Sequence, residues 1–228
     1  MFDIARDPKI WERVRTDEAF ARHRKEIKEA YDKASKVRPR CASAWVVLDY
    51  PNVSDGTDSF RLLQSSALLA LIYPDNEEYY KMLVECVWEI CNEYTWAPLG
   101  HYNSYYDRTP ADFDPGLIDI FAASLAFSMA EIKSLFKDRF PKLLVDRMTY
   151  EIRRHTIEPY VNRKFFWENH GNNWTAVCAG AVGGVLMYED PEEFKRQLPR
   201  LQASMKCYLD SYDDDGMCVE GTAYWGFG

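Results

Sequence analysis

The residues best suited to chemistry gather in two short segments. Asn169-His170-Gly171-Asn172-Asn173-Trp174 sets neutral amides and an imidazole beside an indole, and Glu220-Gly221-Thr222-Ala223-Tyr224-Trp225 places a tyrosine between a carboxylate and a second indole. Imidazole and phenol move protons. Amides hold an oxygen-rich ligand by hydrogen bonds, and indoles offer flat apolar faces on which a sugar ring can stack. Acid/base groups and stacking surfaces therefore recur together, the first set at an expected loop-to-helix junction.

Each of these residues also has a plain structural reading. Asn172 or Asn173 before a helix can serve as an N-cap, Trp174 and Trp225 can be core aromatics, and Glu220 can anchor a loop. His155, beside Arg153 and Arg154 in a charged helix, reads as a solvated surface residue. Asp213-Asp214-Asp215-Gly216 has the look of a turn, since a calcium site needs further spaced oxygen ligands.

Composition narrows the partners. The 228 residues are 47% apolar, enough for a packed core, and carry a formal charge of −8. Phosphate recognition draws on excess Lys and Arg, so nucleic acid is not expected as a partner. Cys41, Cys86, Cys91, Cys178, Cys207 and Cys218 show neither a CxxC pair nor metal-ligand spacing, and read as buried free thiols. No segment has the run of about 20 apolar residues that a membrane span needs. The N-terminus lacks the apolar run of a signal peptide, which points to a cytoplasmic compartment, although a secreted or periplasmic chain with its leader removed reads the same way.

Helical periodicity runs through nearly the whole chain. Residues 8–36, with Ile10, Val14, Phe20, Ile27 and Tyr31 among many charges, predict one long amphipathic helix, an N-terminal arm occupying 1–40. Shorter runs at 42–50 and 57–73 precede a helix at 75–94, opened by an N-capped turn at Pro74-Asp75. After a loop over 95–115 come helices at 116–137 and 141–161, then a loop over 162–172 and helices at 173–188 and 191–213. Gly116 and Asn173 open equivalent helices 57 residues apart, and the same step back reaches Ser59. The first helix of each later pair is small and apolar, and the second alternates charged with apolar residues. Inner and outer layers of stacked hairpins follow, giving an all-α solenoid or α/α toroid over 41–228, with its long loops and functional residues at one end.

The run Asn172-Asn173-Trp174-Thr175-Ala176-Val177-Cys178 with its glycine-rich continuation, followed by Asp215-Gly216 and Glu220-Gly221 through Tyr224-Trp225-Gly226-Phe227-Gly228, resembles the N-terminal domain of heparinase II/III-like and oligoalginate-type polysaccharide lyases. Trp96-Ala97-Pro98-Leu99-Gly100-His101 and Leu117-Ile118-Asp119-Ile120-Phe121-Ala122-Ala123 are similar to that family too, so the resemblance spans roughly 60–228. It implies an incomplete (α/α) toroid of helical hairpins, followed in relatives by antiparallel β-sheet domains that this sequence does not include. The chain is accordingly expected to be part of a longer enzyme, with little activity alone. The implied reaction is β-elimination on a uronate-containing polysaccharide. A neutralised carboxylate acidifies the C5 proton, and the C4–O4 bond then breaks.

Carried over by residue, the resemblance implies that the carboxylate is bound by Asn169 or His170, with Asn172 and Asn173 as alternatives. His170 is a possible base, and Tyr224 is the general acid and in some relatives also the base. Asn173 and Trp174 line the cleft, with Glu220 and Trp225 beside it. His101 is a subsite residue, and Arg163 and Lys164 supply local positive charge for an acidic polysaccharide or oligosaccharide. Neither cofactor nor metal is implied in this segment. Two other readings remain: an α/α-toroid glycoside hydrolase, for which Asp119, Asp215 and Glu220 are the candidate carboxylates, and a non-catalytic carbohydrate-binding domain.

Overall fold

The computed structural model describes residues 3–36, 56–98, 101–102, 114–214, 216–217, 220–221 and 224. The run expected at 42–50, as well as Cys41, Asp215, Cys218 and Trp225, lies outside the described residues. No strand occurs among those described, and the chain is all-helical.

The N-terminal arm is two helices, not one. α1 (Pro8–Thr16) ends where Asp17 turns extended, at φ −77° and ψ 129°, and α2 (Ala21–Ala34) follows a short 3-10 turn over Glu18–Phe20. Asp17 causes the break by folding its side chain onto the Ala19 N–H at 2.9 Å, an N-cap inside the expected helix. Arg24 then ties the two pieces together by donating to the carbonyls of Val14 and Asp17 at 2.8 and 2.7 Å. The apolar stripe of the arm is half-buried against α3 (Gly56–Ile72).

Three hairpins follow. α3 pairs with α4 (Glu77–Cys91) and α5 (Ile120–Phe136) with α6 (Lys142–Ile152), while α8 (Asn173–Glu189) pairs with α9 (Pro191–Leu209). The turns are short because their caps are built in: Asn76 accepts from the Glu78 N–H at 3.1 Å, and Asp190, just before Pro191, accepts from the Glu193 N–H at 3.0 Å. α6 continues through a π-helical turn, Arg153–Ile157, into α7 (Glu158–Asn162). Pro159 explains that turn, since it has no N–H for the carbonyl four residues back and its ring crowds that carbonyl.

Cross-helix contacts fix the directions. Phe60 faces Phe121 at 5.6 Å between ring centroids, Gln64 bonds Ser128 at 3.5 Å, and Tyr188 donates to Glu131 at 3.4 Å. Early residues meet early ones and late meet late, so α3, α5 and α8 run parallel. Arg147 donates to the Cys91 carbonyl and Tyr80 to that of Arg139, both at 2.8 Å, so α4 and α6 are parallel as well. Tyr188 and Glu131 are 57 residues apart, which is the repeat read from the sequence. α5 and α8 are well enclosed, with Ala122, Ala123, Ala126, Met129, Cys178, Ala179, Val182 and Val185 buried, whereas α9 buries only Leu201, Ser204 and Tyr208. Cys86, Cys91 and Cys178 are buried free thiols, and burial pushes those of Cys86 and Cys91 up to about 12.

His155 is not a surface residue: only 1% of it is exposed. It stacks on Trp96 with 4.4 Å between ring centroids, its Nδ1 donates to the Pro115 carbonyl, and its Nε2 accepts from Arg154 at 2.9 Å. The adjacent arginine that made it look solvated instead reaches over it to Glu151 at 2.8 Å and to the Glu93 carbonyl at 3.2 Å. Burial, and then the Arg154 charge, lower its pKa to about 4. The unfolded chain therefore takes up a proton near 6.5 that the folded chain refuses until about 4, and stability falls as pH falls through that window. At about 1.4 kcal/mol per unit the loss is on the order of 3 kcal/mol. His155→Phe keeps a ring on Trp96 but cannot charge. Urea unfolding of the variant is expected to cost about 1 kcal/mol at neutral pH, from the lost hydrogen bonds, and to show a much flatter decline toward acid. An equally steep decline in the variant rules out His155 as its source.

Candidate functional site

The parallel inner helices start at one end of the fold, and His101, His170, Asn173, Trp174 and Glu220 collect there. Asp119, wholly buried, caps α5 by accepting from the Ala122 N–H at 2.6 Å, while its other oxygen takes a hydrogen bond from His101 Nδ1. His101 is held from both sides of its loop. Its backbone N–H donates to the Pro98 carbonyl at 3.0 Å, and the neighbouring Tyr102 hydroxyl donates to the Asp114 carbonyl at 2.8 Å and lies 2.6 Å from the Thr95 hydroxyl.

The loop before α8 is a 3-10 turn, Phe166–Asn169, whose two sides differ. Trp167 and Glu168 point inward. Trp167 Nε1 donates to the Ile118 carbonyl at 2.8 Å, and its ring stacks against Phe165 at 5.6 Å. Glu168 accepts from the Phe165 N–H at 2.6 Å and from Arg200 Nε at 2.7 Å. Burial pushes the Glu168 carboxyl up, but the Arg200 and Phe165 hydrogen bonds outweigh it and hold the group below the usual range. Phe166, Asn169 and His170 face outward and are exposed. Gly171 closes the turn at φ +61°, where a Cβ would come within 2.9 Å of Ser211 Cβ on the chain leaving α9. Only glycine meets both conditions.

A row of rings crosses the site. His101 and Trp174 are 4.9 Å apart between centroids, Trp174 and Phe166 are 5.2 Å apart, and Phe166 meets His170 edge-on at 5.6 Å. Phe166 and Asp119 are the members that the motifs did not single out for this role. A turn period of three, which puts Phe166 on the same side as Asn169, was the available signal for Phe166.

The second motif arrives through Glu220, whose carboxylate accepts from the Asn173 N–H at 2.7 Å and so caps α8 from 47 residues away. Asn172 occupies the N-cap position but makes no capping bond with its side chain. The side-chain oxygens of Asn172 and Asn173 are buried and accept nothing from the described residues. Gly221, at φ +81°, turns the chain toward Tyr224, which is 43% exposed and accessible to a ligand. The positive residues are more committed than expected: Arg163 pairs with Asp114 and donates to the Gly116 carbonyl at 2.7 Å, while Lys164, largely exposed, lies 3.6 Å from Glu168. The described residues include no group of three or more His, Cys, Asp or Glu able to hold a metal, and no helix among them is long and apolar enough to cross a membrane. No protein-family model matches the chain, and no curated protein matches it.

Two substitutions test this scaffold. Arg200→Met leaves the buried Glu168 carboxylate without its guanidinium and is expected to destabilise by about 3 kcal/mol in urea unfolding, whereas a loss under about 1 kcal/mol would mean the pair is dispensable. Glu220→Ala removes the cap on α8 and is expected to cost about 1 kcal/mol and to speed hydrogen exchange at the Asn173 amide, while Asn172→Ala leaves that amide protected.

Proposed function

We propose that this chain is the helical domain of a polysaccharide lyase, an incomplete (α/α) toroid that binds a uronate-containing polysaccharide at the start of its inner helices and supports β-elimination. The hydrogen bond from the Asn173 N–H to Glu220 carries the reading, because it brings Glu220 of the second motif onto the first turn of the helix that Asn173 and Trp174 of the first motif open. In this reading Asn169 and His170 bind and neutralise the uronate carboxylate, Trp174 and Phe166 give the sugar a stacking face, and Tyr224 protonates the leaving O4. Parallel inner helices with a 57-residue repeat support the toroid.

A hydrolase needs two carboxyl groups facing the scissile bond. Of the three candidates, Asp119 is wholly buried under His101 and the α5 N-terminus, and Glu220 is turned onto α8, which favours the lyase. Prolonged incubation at high protein concentration with alginate, heparosan and polygalacturonate oligosaccharides is expected to yield unsaturated uronate ends slowly, read by their ultraviolet absorbance. Tyr224→Phe should lower that rate on the order of 100-fold or more. Saturated ends alone would sink the lyase reading, and binding without turnover, unchanged in Tyr224→Phe, would mark a carbohydrate-binding domain.

A further inference from the structure

We propose that the proton acceptor of this site is His101, oriented by Asp119; the inference rests on the β-elimination reading. The two imidazoles of the site differ in how they are held. His170 touches the Phe166 ring edge-on, and no hydrogen bond to its ring fixes a tautomer among the described residues. His101 has its Nδ1 on a carboxylate that is 0% exposed and itself held by the Ala122 N–H at 2.6 Å. An ionised carboxylate only accepts, so Nδ1 carries the hydrogen and the lone pair resides on Nε2. Nε2 has no hydrogen-bond partner among the described residues, and 19% of the side chain is exposed. Trp174 lies against the ring at 4.9 Å between centroids and restricts its rotation while extending the stacking face on which a sugar would sit. The arrangement is a histidine with a fixed tautomer, a buried orienting acid and one accessible basic nitrogen, as general-base catalysis requires.

The step balances within the site. His101 Nε2 takes the C5 proton, the C5–H electron pair becomes the C4–C5 double bond, and the C4–O4 pair leaves on oxygen. Tyr224 supplies the proton to O4, and the imidazolium proton returns to the phenolate through solvent. Asp119 touches no substrate and is a positioning residue.

Two substitutions isolate the roles. His101→Gln keeps size and polarity, and Asp119→Asn keeps an N-cap for α5 but presents an amide that can donate to Nδ1 and move the ring hydrogen to Nε2. Assayed by unsaturated-uronate formation on whichever panel oligosaccharide the wild type cleaves, each is expected to lower kcat by about 100-fold with KM within about threefold. Nitrogen NMR of histidine-labelled protein should show the lone pair of His101 on Nε2 in the wild type and on Nδ1 in Asp119→Asn, a readout that a merely structural role would not move. Turnover of His101→Gln within about twofold of wild type overturns the inference while leaving the lyase reading intact. So does an unchanged His101 tautomer in Asp119→Asn. No unsaturated product from the wild type on any panel member overturns both.

Discussion

The structure depends on how closely α5 and α8 approach one another. At Gly184 a Cβ would stand 2.5 Å from the Phe127 ring, so a larger residue fits only if that ring moves or the helices separate. Packing at this distance between small-residue faces is unforgiving of volume, because close-packed interiors relax only partly. Tyr188 reaches Glu131 and Lys133 pairs with Glu189, so residues 57 and 56 apart stand level, and α8, which starts 53 residues after α5, begins about one turn further out. His101, bonded to the Asp119 cap of α5, meets Trp174 on that projecting first turn. The site is therefore a consequence of helix packing, and the loops fill a geometry that the helices have already set.

Three carboxylates at this end are engaged. Asp119 faces an N-terminus and an imidazole, Glu168 a guanidinium and a backbone N–H, and Glu220 the first turn of α8. Each is met by hydrogen bonds, and two sit at helix N-termini, whose partial positive charge suits an acidic group. Such pairing lowers the repulsion that a chain with a formal charge of −8 would otherwise present to an anionic ligand. Arg163 and Arg200 do much of this neutralising, with Arg200 donating to the carbonyls of Tyr160 and Arg163 as well as to Glu168. Asn169 and His170 face outward with an amide and an imidazole.

Helices and hairpins were legible in the sequence wherever one local signal dominated. Apolar spacing marked α4, α5 and α8, and Asp190 ahead of Pro191 marked a turn that both ends one helix and caps the next. Local reading failed where a side chain chose between two uses. Asp17 sits in a stretch with helical spacing yet caps its own chain, and Arg154 next to His155 reads as solvent exposure yet covers a buried ring. The site was half legible. Composition drew attention to 169–174 and 220–225, but the bonds that assemble them join His101 to Asp119 and Asn173 to Glu220, across separations that no periodicity encodes. An Asn before a helix is a fair guess for a cap. Here a distant glutamate does that work, and the amide oxygens of Asn172 and Asn173 accept nothing from the described residues.

The 166–169 turn shows why the exposed residues can still be positioned. Three residues per turn bring Phe166 and Asn169 to one side and leave Trp167 and Glu168 on the other. Trp167, fully buried and bonded to the Ile118 carbonyl, ties the turn to the segment that starts α5, and Glu168 ties it to α9 through Arg200. Gly171 then lets the chain pass against Ser211 before entering α8. Three inner elements thus fix a turn whose outward side carries the amide, the imidazole and a flat ring. Catalysis by positioned groups loses efficiency steeply when they shift by about an ångström, and a loop anchored only by its tip could not hold them so. The outward residues are set by what the inward ones bury, so the polar rim inherits its precision from the core beneath it.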